Sequence, residues 1–294
     1  MNAQTRSDRQ LPNTGPFDRL YDRAAETLLA RPFGEAWIET RYGQTHVLLA
    51  GDRGRVPVVV FQGGNVTNPL TLSWFEDLAD EYYLIAPDTP GEPGKSDPGD
   101  GIDYATWVCD LLDGLEVETA AMVGPSHGAG VVLETAERAP ERITAAALVV
   151  PAGFGTPLSL SLARVIVPSL AYRLLGRQGL LEGVLARLCT DPVADLPTVT
   201  VETIGMALRT SDLKADFPGP DDPDSLAAFE APVLVVSAGL DPFFPTDAIT
   251  DRVTAWLPGL QRHVSLSEER HFLSRAGQQR VREEVRPFLA AHIK

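Results

Sequence analysis

Cysteines are scarce in this sequence and long apolar runs are missing, and both absences narrow the class of protein. Only Cys109 and Cys189 occur among 294 residues, too few for a disulfide-stapled scaffold. Because both lie in apolar helical patterns, we expect buried free thiols and a reducing, cytoplasmic location. No stretch reaches the roughly 18 apolar residues of a membrane span. The polar N-terminus MNAQTRSDRQLPNTGP lacks the apolar core of a secretion signal, and about its first 12 residues are expected to be mobile.

Basic residues are also in short supply. The chain has 25 lysines and arginines and 40 aspartates and glutamates, which gives a formal net charge of −15. An acidic chain repels polyphosphates and anionic lipid, so nucleic acid and membrane are not expected partners. The charge does not restrict a small-molecule substrate, and it leaves a homodimer open. Hydrophobic residues make up 44 % of the chain, enough for a sizeable core.

The apolar runs that are present predict an α/β fold. Five of them between residues 56 and 237, such as VPVVVFQ and PVLVVSA, are nearly continuous, as in parallel strands buried on both faces. Two earlier runs, EAWIETRY and THVLLAG, follow each other through Gly43 and predict an antiparallel hairpin at a sheet edge. RHVSLS predicts a last strand. Helical patterns separate the strands, as in a doubly wound sheet, at residues 69–80, 104–115, 129–137, 247–256 and 276–292.

One interval interrupts this alternation. Between the sixth and seventh strand runs, about 75 residues carry helical spacing and no strand run. We therefore predict a core domain in two parts, residues 1–151 and 230–294, and a helical lid at residues 152–229. The apolar stripes of these helices must bury against another surface, and ligands of open α/β sheets bind at the carboxyl edge of the strands. We expect the lid to cover that edge.

The pentapeptide GPSHG places Ser126 between a predicted strand and a predicted helix. A serine at such a sharp turn is held in a strained backbone conformation, with its hydroxyl exposed at the head of a helix. The residues two before and two after it approach the neighbouring strand and helix, which explains glycine at Gly124 and Gly128. The helix N-terminus favours developing negative charge. This pattern predicts a nucleophile, whereas an ordinary turn would need only a helix-capping serine.

A serine hydroxyl needs a base, and the base needs an orienting acid. Asp241 lies just beyond the apolar run PVLVVSA, with Gly239 before it, at the carboxyl end of a predicted parallel strand. His271 lies in the loop between the last predicted strand and the last helix. His263 lies within the last strand pattern, and His127 is too close to the serine in sequence to turn back as its base. We therefore predict Ser126, Asp241 and His271 as the catalytic residues.

An acyl-transfer site also needs two donors for the oxyanion. The backbone amide of His127, directly after the serine, is the first candidate. The loop FQGGNVTNP follows the third strand, and its glycines allow a close approach to a ligand. We predict the Gly64 amide as the second donor, and we place Gln62, Asn65 and Phe243 at the substrate pocket.

The segment TPGEPGKS, residues 89–96, comes close to a nucleotide-binding phosphate loop. Thr89 stands where the first glycine is required, and Pro90 and Pro93 remove two amide donors. No long helix begins after Ser96. We therefore interpret the segment as the turn after the fourth strand, and we predict neither a cofactor nor a metal site.

The chain resembles the α/β-hydrolase superfamily over nearly its whole length. The resemblance rests on four motifs in the expected order: QGGN, APDTPGEPGKSD, GPSHG and LDPFFP…RHF. The resemblance implies an eight-stranded, mostly parallel sheet with helices on both faces and a lid after the sixth strand. It implies a triad of Ser126, Asp241 and His271 and no cofactor, and it is strongest to lidded bacterial carboxylesterases. Relatives usually carry histidine before the oxyanion glycine, where this chain has Gln62, so Gln62 must find other hydrogen bonds.

The sequence therefore predicts a serine hydrolase that cleaves an ester, thioester or related acyl bond of a small, apolar substrate. Two other classes remain open on the same scaffold. One is a biosynthetic lyase, acyltransferase or cyclase, and the other is a non-catalytic ligand receptor. Serine at the strand-to-helix turn around Ser126, which we call the elbow, argues against relatives that use aspartate there for haloalkane or epoxide hydrolysis.

Overall fold

The predicted sheet is present in full. The computed structural model describes residues 16–155, 160–210 and 217–293, so the mobile segment predicted at about residues 1–12 lies outside the described residues. The strands are β1 (Gly34–Thr40), β2 (Gly43–Ala50), β3 (Pro57–Val60), β4 (Tyr83–Pro87), β5 (Ala120–Pro125), β6 (Ile143–Val149), β7 (Val233–Ala238) and β8 (Leu260–Leu266).

The strand order explains how distant parts of the chain reach one edge. The eight strands lie in the order β1-β2-β4-β3-β5-β6-β7-β8. The hairpin β1–β2 is antiparallel, as predicted, and β2 also runs antiparallel to β4. All later neighbours are parallel. The carboxyl ends of β3 to β8 therefore meet at one edge, where open α/β sheets bind their ligands.

Helices lie on both faces of the sheet. The predicted helices before β5, after β5, before β8 and at the carboxyl terminus are all found, with their ends shifted by up to two residues. The helices are α1 (Pro16–Leu28), α2 (Asn68–Leu72), α3 (Tyr104–Gly114), α4 (His127–Arg138), α5 (Leu160–Leu175), α6 (Gln178–Leu188), α7 (Thr198–Thr210), α8 (Thr246–Trp256) and α9 (Arg275–His292). No helix in the described ranges is both long enough and apolar enough to cross a bilayer.

Two details differ from the sequence predictions. The helix α1 was not predicted, although its residues Leu20, Tyr21 and Ala24 share one face and are buried. The helix predicted at 69–80 is split, because α2 ends at Leu72 and a separate 3₁₀ turn spans Glu76–Asp80. At the break the Ser73 hydroxyl donates to the Leu70 carbonyl at 2.8 Å, a local bond that competes with helix continuation.

Apolar side chains fill both faces of the sheet. On one face Trp107 of α3 packs against Phe61, and its indole N–H donates to the Thr45 hydroxyl at 3.0 Å. On the other face Phe75 and Phe288 contact the strands. Cys109 and Cys189 are free thiols, as expected, although only Cys189 is fully buried.

The segment between β6 and β7 contributes α5, α6 and α7, which we call the inserted helices. One face of α5, including Val165 and Tyr172, packs against α6 and α7, while Val167 and Leu174 on its opposite side are exposed. The ends of the predicted lid range behave differently, because Phe154 packs in the core beneath the sheet together with Leu226 and Phe229. The boundaries 152–229 thus include chain that belongs structurally to the core.

A buried polar cluster attaches α1 to the sheet. The carboxylate of Asp88 accepts the Tyr21 hydroxyl at 2.9 Å and lies 3.0 Å from His46 Nδ1. Lys95 Nζ lies 3.1 Å from Glu35 Oε1, and His46 Nε2 lies 3.7 Å from the same oxygen. His46 first, and then the Lys95 ammonium, hold the pKa of Glu35 at about 2, against the opposing effect of burial.

Because of this cluster, the free energy of unfolding should fall as the solution becomes acidic. A carboxylate whose pKa falls on folding stabilises the fold above its unfolded pKa, here 4.5, and loses that contribution as the pH falls towards 2. We therefore expect Glu35→Gln to be less stable than wild type by about 1–3 kcal/mol at pH 6, with the difference shrinking between pH 4.5 and 2. Urea unfolding across this range measures the difference. The control is Glu283→Gln, which removes an exposed ion pair with Arg280 and should lower the free energy of unfolding by less than about 1 kcal/mol. If the loss of stability in Glu35→Gln did not change with pH, the proposed role of the cluster would be contradicted.

Candidate active site

Three side chains from distant parts of the chain form one hydrogen-bonded series at the carboxyl edge of the sheet. His271 Nε2 lies 2.9 Å from Ser126 Oγ, and His271 Nδ1 lies 2.7 Å from Asp241 Oδ2. Asp241 is 2 % exposed and Ser126 is 9 % exposed. The structure therefore brings together all three residues that the sequence singled out as catalytic.

Ser126 occupies a strained turn between β5 and α4. Its φ of 51° and ψ of −118° lie in a region that non-glycine residues rarely adopt. A Cβ at Gly124 would lie 2.4 Å from the Gly128 carbonyl oxygen, and a Cβ at Gly128 would lie 2.7 Å from Phe61 Cβ. Both glycines are therefore required by close backbone approach, for the reason that the sequence suggested. The turn directs the serine hydroxyl towards His271.

Asp241 is held by the backbone of the turn after β7. Its Oδ1 accepts the amides of Phe243 at 2.8 Å and Phe244 at 3.1 Å. This leaves Oδ2 directed at His271. Since both oxygens have defined donors, the carboxylate is fixed in orientation, as a group that sets the tautomer of an imidazole must be.

Three of the five histidines lie in clearly different surroundings. His271 lies in the loop between β8 and α9, and its ring lies 5.0 Å from that of Phe243. His263 is in β8, and its Nε2 lies 2.8 Å from the Ser237 hydroxyl. His46 belongs to the buried cluster around Asp88. The alternative that His263 is the base therefore has no support in the geometry.

The loop after β3 runs beside the elbow, and we call residues 62–66 the oxyanion loop. The Gly63 amide donates to the Thr71 hydroxyl at 3.0 Å, and the Asn65 amide donates to Glu92 Oε2 at 2.6 Å. Within the described residues, the Gly64 amide has no acceptor. A Cβ at Gly64 would lie 3.1 Å from His127 Cβ, so the two predicted donors belong to touching segments. Since the Asn65 amide is already bonded, Gly64 stays our predicted second donor.

Gln62 was predicted at the substrate pocket, and the structure places it elsewhere. Its side chain is fully buried. Nε2 donates to the carbonyls of Val66 at 2.9 Å and Pro93 at 3.2 Å, and Oε1 accepts the Thr89 amide at 2.7 Å. The bonds to Pro93 and Thr89 connect the oxyanion loop to the turn after β4, and the bond to Val66 lies within the loop. Gln62 braces the loop, as expected for a residue that replaces the usual histidine, and it is not available to a substrate.

His127 has neighbours that the sequence did not reveal. Its ring meets that of Tyr104 edge-to-face at 5.4 Å, and its Nε2 lies 3.5 Å from the Tyr104 hydroxyl and 3.5 Å from Glu92 Oε1. Burial raises the pKa of Tyr104, and the carboxylates of Glu92 and Glu134 raise it further. Glu92 and Tyr104 were missed because they are separated from the serine by 34 and 22 positions.

The inserted helices pack over this edge of the sheet. Val66 of the oxyanion loop and Leu70 of α2 belong to the same apolar cluster as Val165 of α5. Phe272, which directly follows His271, and Phe243, two positions after Asp241, pack against that cluster. Apolar side chains therefore lie near the hydrogen-bonded series, and Phe243 stays a predicted residue of the substrate pocket. Asn65 is half-buried, and its role at the pocket stays a prediction.

Comparisons with known proteins agree with this architecture. Residues 56–177 match the family model for the alpha/beta hydrolase fold. The chain is 24 % identical over 272 residues to the carboxylesterase YbfK of Bacillus subtilis, covering 88 % of each chain. It is 35 % identical over 123 residues to the uncharacterized carboxylesterase nap of the same organism, a match that spans 40 % of each.

Solved structures show the same fold. The crystal structure of naproxen esterase, carboxylesterase NP, from Bacillus subtilis superposes with a TM-score of 0.77 at 22 % identity, covering 96 % of this chain and 100 % of that one. Carboxylesterase CesB (YbfK) gives 0.78 at 21 % identity over 94 % and 98 % of the two chains. The protein therefore has the α/β-hydrolase fold, and among proteins of that fold it resembles the Bacillus carboxylesterases.

Proposed function

We propose that this protein is a serine hydrolase that cleaves a carboxylic ester, or a related acyl bond such as a thioester, of a small apolar substrate. The observation that carries the proposal is the continuous series from Ser126 Oγ through His271 to Asp241 Oδ2, with separations of 2.9 and 2.7 Å. The carboxylesterase names of similar Bacillus proteins support ester hydrolysis as the reaction class.

Acylation follows from the direction of these hydrogen bonds. With the Nδ1 proton directed at Asp241, Nε2 of His271 is the acceptor for the Ser126 hydroxyl proton. As Oγ bonds to the substrate carbonyl carbon, the proton passes to Nε2 and the carbonyl oxygen becomes an oxyanion. Collapse of this intermediate breaks the bond to the leaving alcohol or thiol, which takes the proton from Nε2. Asp241 stabilises the imidazolium cation throughout.

Deacylation repeats the sequence with water. His271 accepts a proton as the water oxygen bonds to the acyl carbon, and it returns that proton to Ser126 Oγ when the acid departs. The amides of Gly64 and His127 are the proposed donors to the oxyanion in both halves. Such donors are worth about 10²–10³-fold in kcat each, because they act on charge that is absent from the ground state.

The inserted helices supply the proposed specificity. They form a lid, since their apolar cluster includes Val66 of the oxyanion loop and Leu70 of α2 and contacts Phe243 and Phe272. A pocket with such walls favours an apolar acyl or alcohol group. A water-poor site also strengthens the electrostatic interactions that stabilise the oxyanion.

A series of p-nitrophenyl esters of increasing acyl length tests the proposed reaction. We expect turnover with a burst of nitrophenol equal to the enzyme concentration wherever deacylation is slower than acylation. An apolar pocket should give a higher kcat/KM for butyrate than for acetate, since each methylene transferred from water contributes about 0.8 kcal/mol. Saturable binding without turnover of any ester would instead indicate a receptor.

Covalent labelling tests the assigned roles of serine and histidine. A fluorophosphonate should modify Ser126 in the wild type and no residue in Ser126→Ala, while Ser267→Ala, at an exposed serine outside the site, should label normally. His271→Ala should lower the labelling rate by several orders of magnitude, because members of a triad act as a unit. His263→Ala should label like wild type. Peptide mass spectrometry locates the adduct, and modification of another serine would refute the assignment.

A further inference from the structure

The turn after β4, residues 89–93, is attached to the oxyanion loop at three points. The Thr89 amide donates to Gln62 Oε1 at 2.7 Å, Gln62 Nε2 donates to the Pro93 carbonyl at 3.2 Å, and the Asn65 amide donates to Glu92 Oε2 at 2.6 Å. This turn lies in the segment that resembles a phosphate loop. Instead of offering amides to a phosphate, it offers a carboxylate to the amide of a neighbouring loop.

The carboxylate of Glu92 contacts both segments that carry the proposed oxyanion donors. Its side chain is 7 % exposed, and its Oε1 lies 3.5 Å from Nε2 of His127 while Oε2 accepts the Asn65 amide. Asn65 directly follows Gly64, and His127 is itself the other proposed donor. A buried carboxylate is costly unless its oxygens have partners, so these contacts fix Glu92 in place as a bridge.

The surrounding groups keep this bridge stiff. Tyr104, the first residue of α3, meets the His127 ring edge-to-face at 5.4 Å. Asn65 has a positive φ of 58°, a conformation that the bond to Glu92 helps to hold. Since Gly64 lies within van der Waals reach of His127, a shift of either segment changes the distance between the two amides.

We infer that Glu92 is a positioning residue that sets the spacing between the Gly64 and His127 amides. The inference rests on the ester hydrolysis proposed above. Groups that act on a transition state must be held within about 0.5 Å of their productive positions. Loss of the bridge should therefore weaken stabilisation of the oxyanion and leave substrate binding nearly unchanged.

Variants of Glu92 separate this role from general stability. Glu92→Ala should lower kcat for a p-nitrophenyl ester by about 10- to 100-fold with KM changed less than about twofold, since the backbone donors remain but are less well aligned. Glu92→Gln keeps an acceptor for the Asn65 amide and should recover part of the loss. Glu134→Gln is the matched control, because its carboxylate accepts the Tyr104 amide at 2.8 Å rather than a group of the oxyanion loop. Its kcat should stay near wild type at pH 8.

Hydrogen exchange provides a readout that needs no turnover. The Asn65 amide should exchange slowly in the wild type and in Glu134→Gln, and faster in Glu92→Ala, as the bond to the carboxylate protects it. A kcat of Glu92→Ala equal to wild type, a loss that falls on KM alone, or unchanged exchange at Asn65 would each overturn the inference. If the wild-type protein neither hydrolysed esters nor was labelled at Ser126, the proposed function would be overturned instead. Hydrogen exchange at the Asn65 amide would still decide whether Glu92 holds the oxyanion loop.

Discussion

The close approach of the chain to itself around Ser126 is the constraint on which the site depends. Glycine at Gly124 and Gly128 lets β5, α4 and the end of β3 meet within distances that no side chain would tolerate. The strained backbone at Ser126 costs roughly 1–3 kcal/mol, which the hydrophobic packing of the sheet offsets. In return the hydroxyl stands at the head of α4, at the edge where the loops after β3, β7 and β8 converge.

Those loops are held by side-chain acceptors that take up their backbone amides. Asp241 accepts two amides of its own turn, and Glu92 accepts one from the oxyanion loop. Gln62 connects that loop to the turn after β4 by two hydrogen bonds and makes a third to the Val66 carbonyl within the loop. Loops usually move more than the elements they join. Here the loops after β3 and β7 are fixed by buried polar side chains, so their geometry is set before a substrate arrives.

Features of the fold and the site that have a local sequence pattern could be predicted. The pentapeptide GPSHG indicates the turn between β5 and α4, and Asp241 and His271 were chosen because each lies after a predicted strand. Residues that act across the fold gave no such signal. Glu92 reaches His127 only because β4 and β5 both flank β3 in the sheet, an order that the pattern of strands does not specify. Gln62 was misplaced for the same reason, since its partners in the turn after β4 lie 27 and 31 positions away. The helix α1 was missed because its polar residues obscured the single face formed by Leu20, Tyr21 and Ala24.

A crystal structure of the protein after reaction with a fluorophosphonate would examine the serine, the histidine and both donors together. We expect phosphorus bonded to Ser126 Oγ, with the phosphoryl oxygen about 2.7–3.1 Å from the amides of Gly64 and His127. His271 would then keep its contact with Asp241. An adduct on another residue, or a phosphoryl oxygen directed away from both amides, would contradict this expectation.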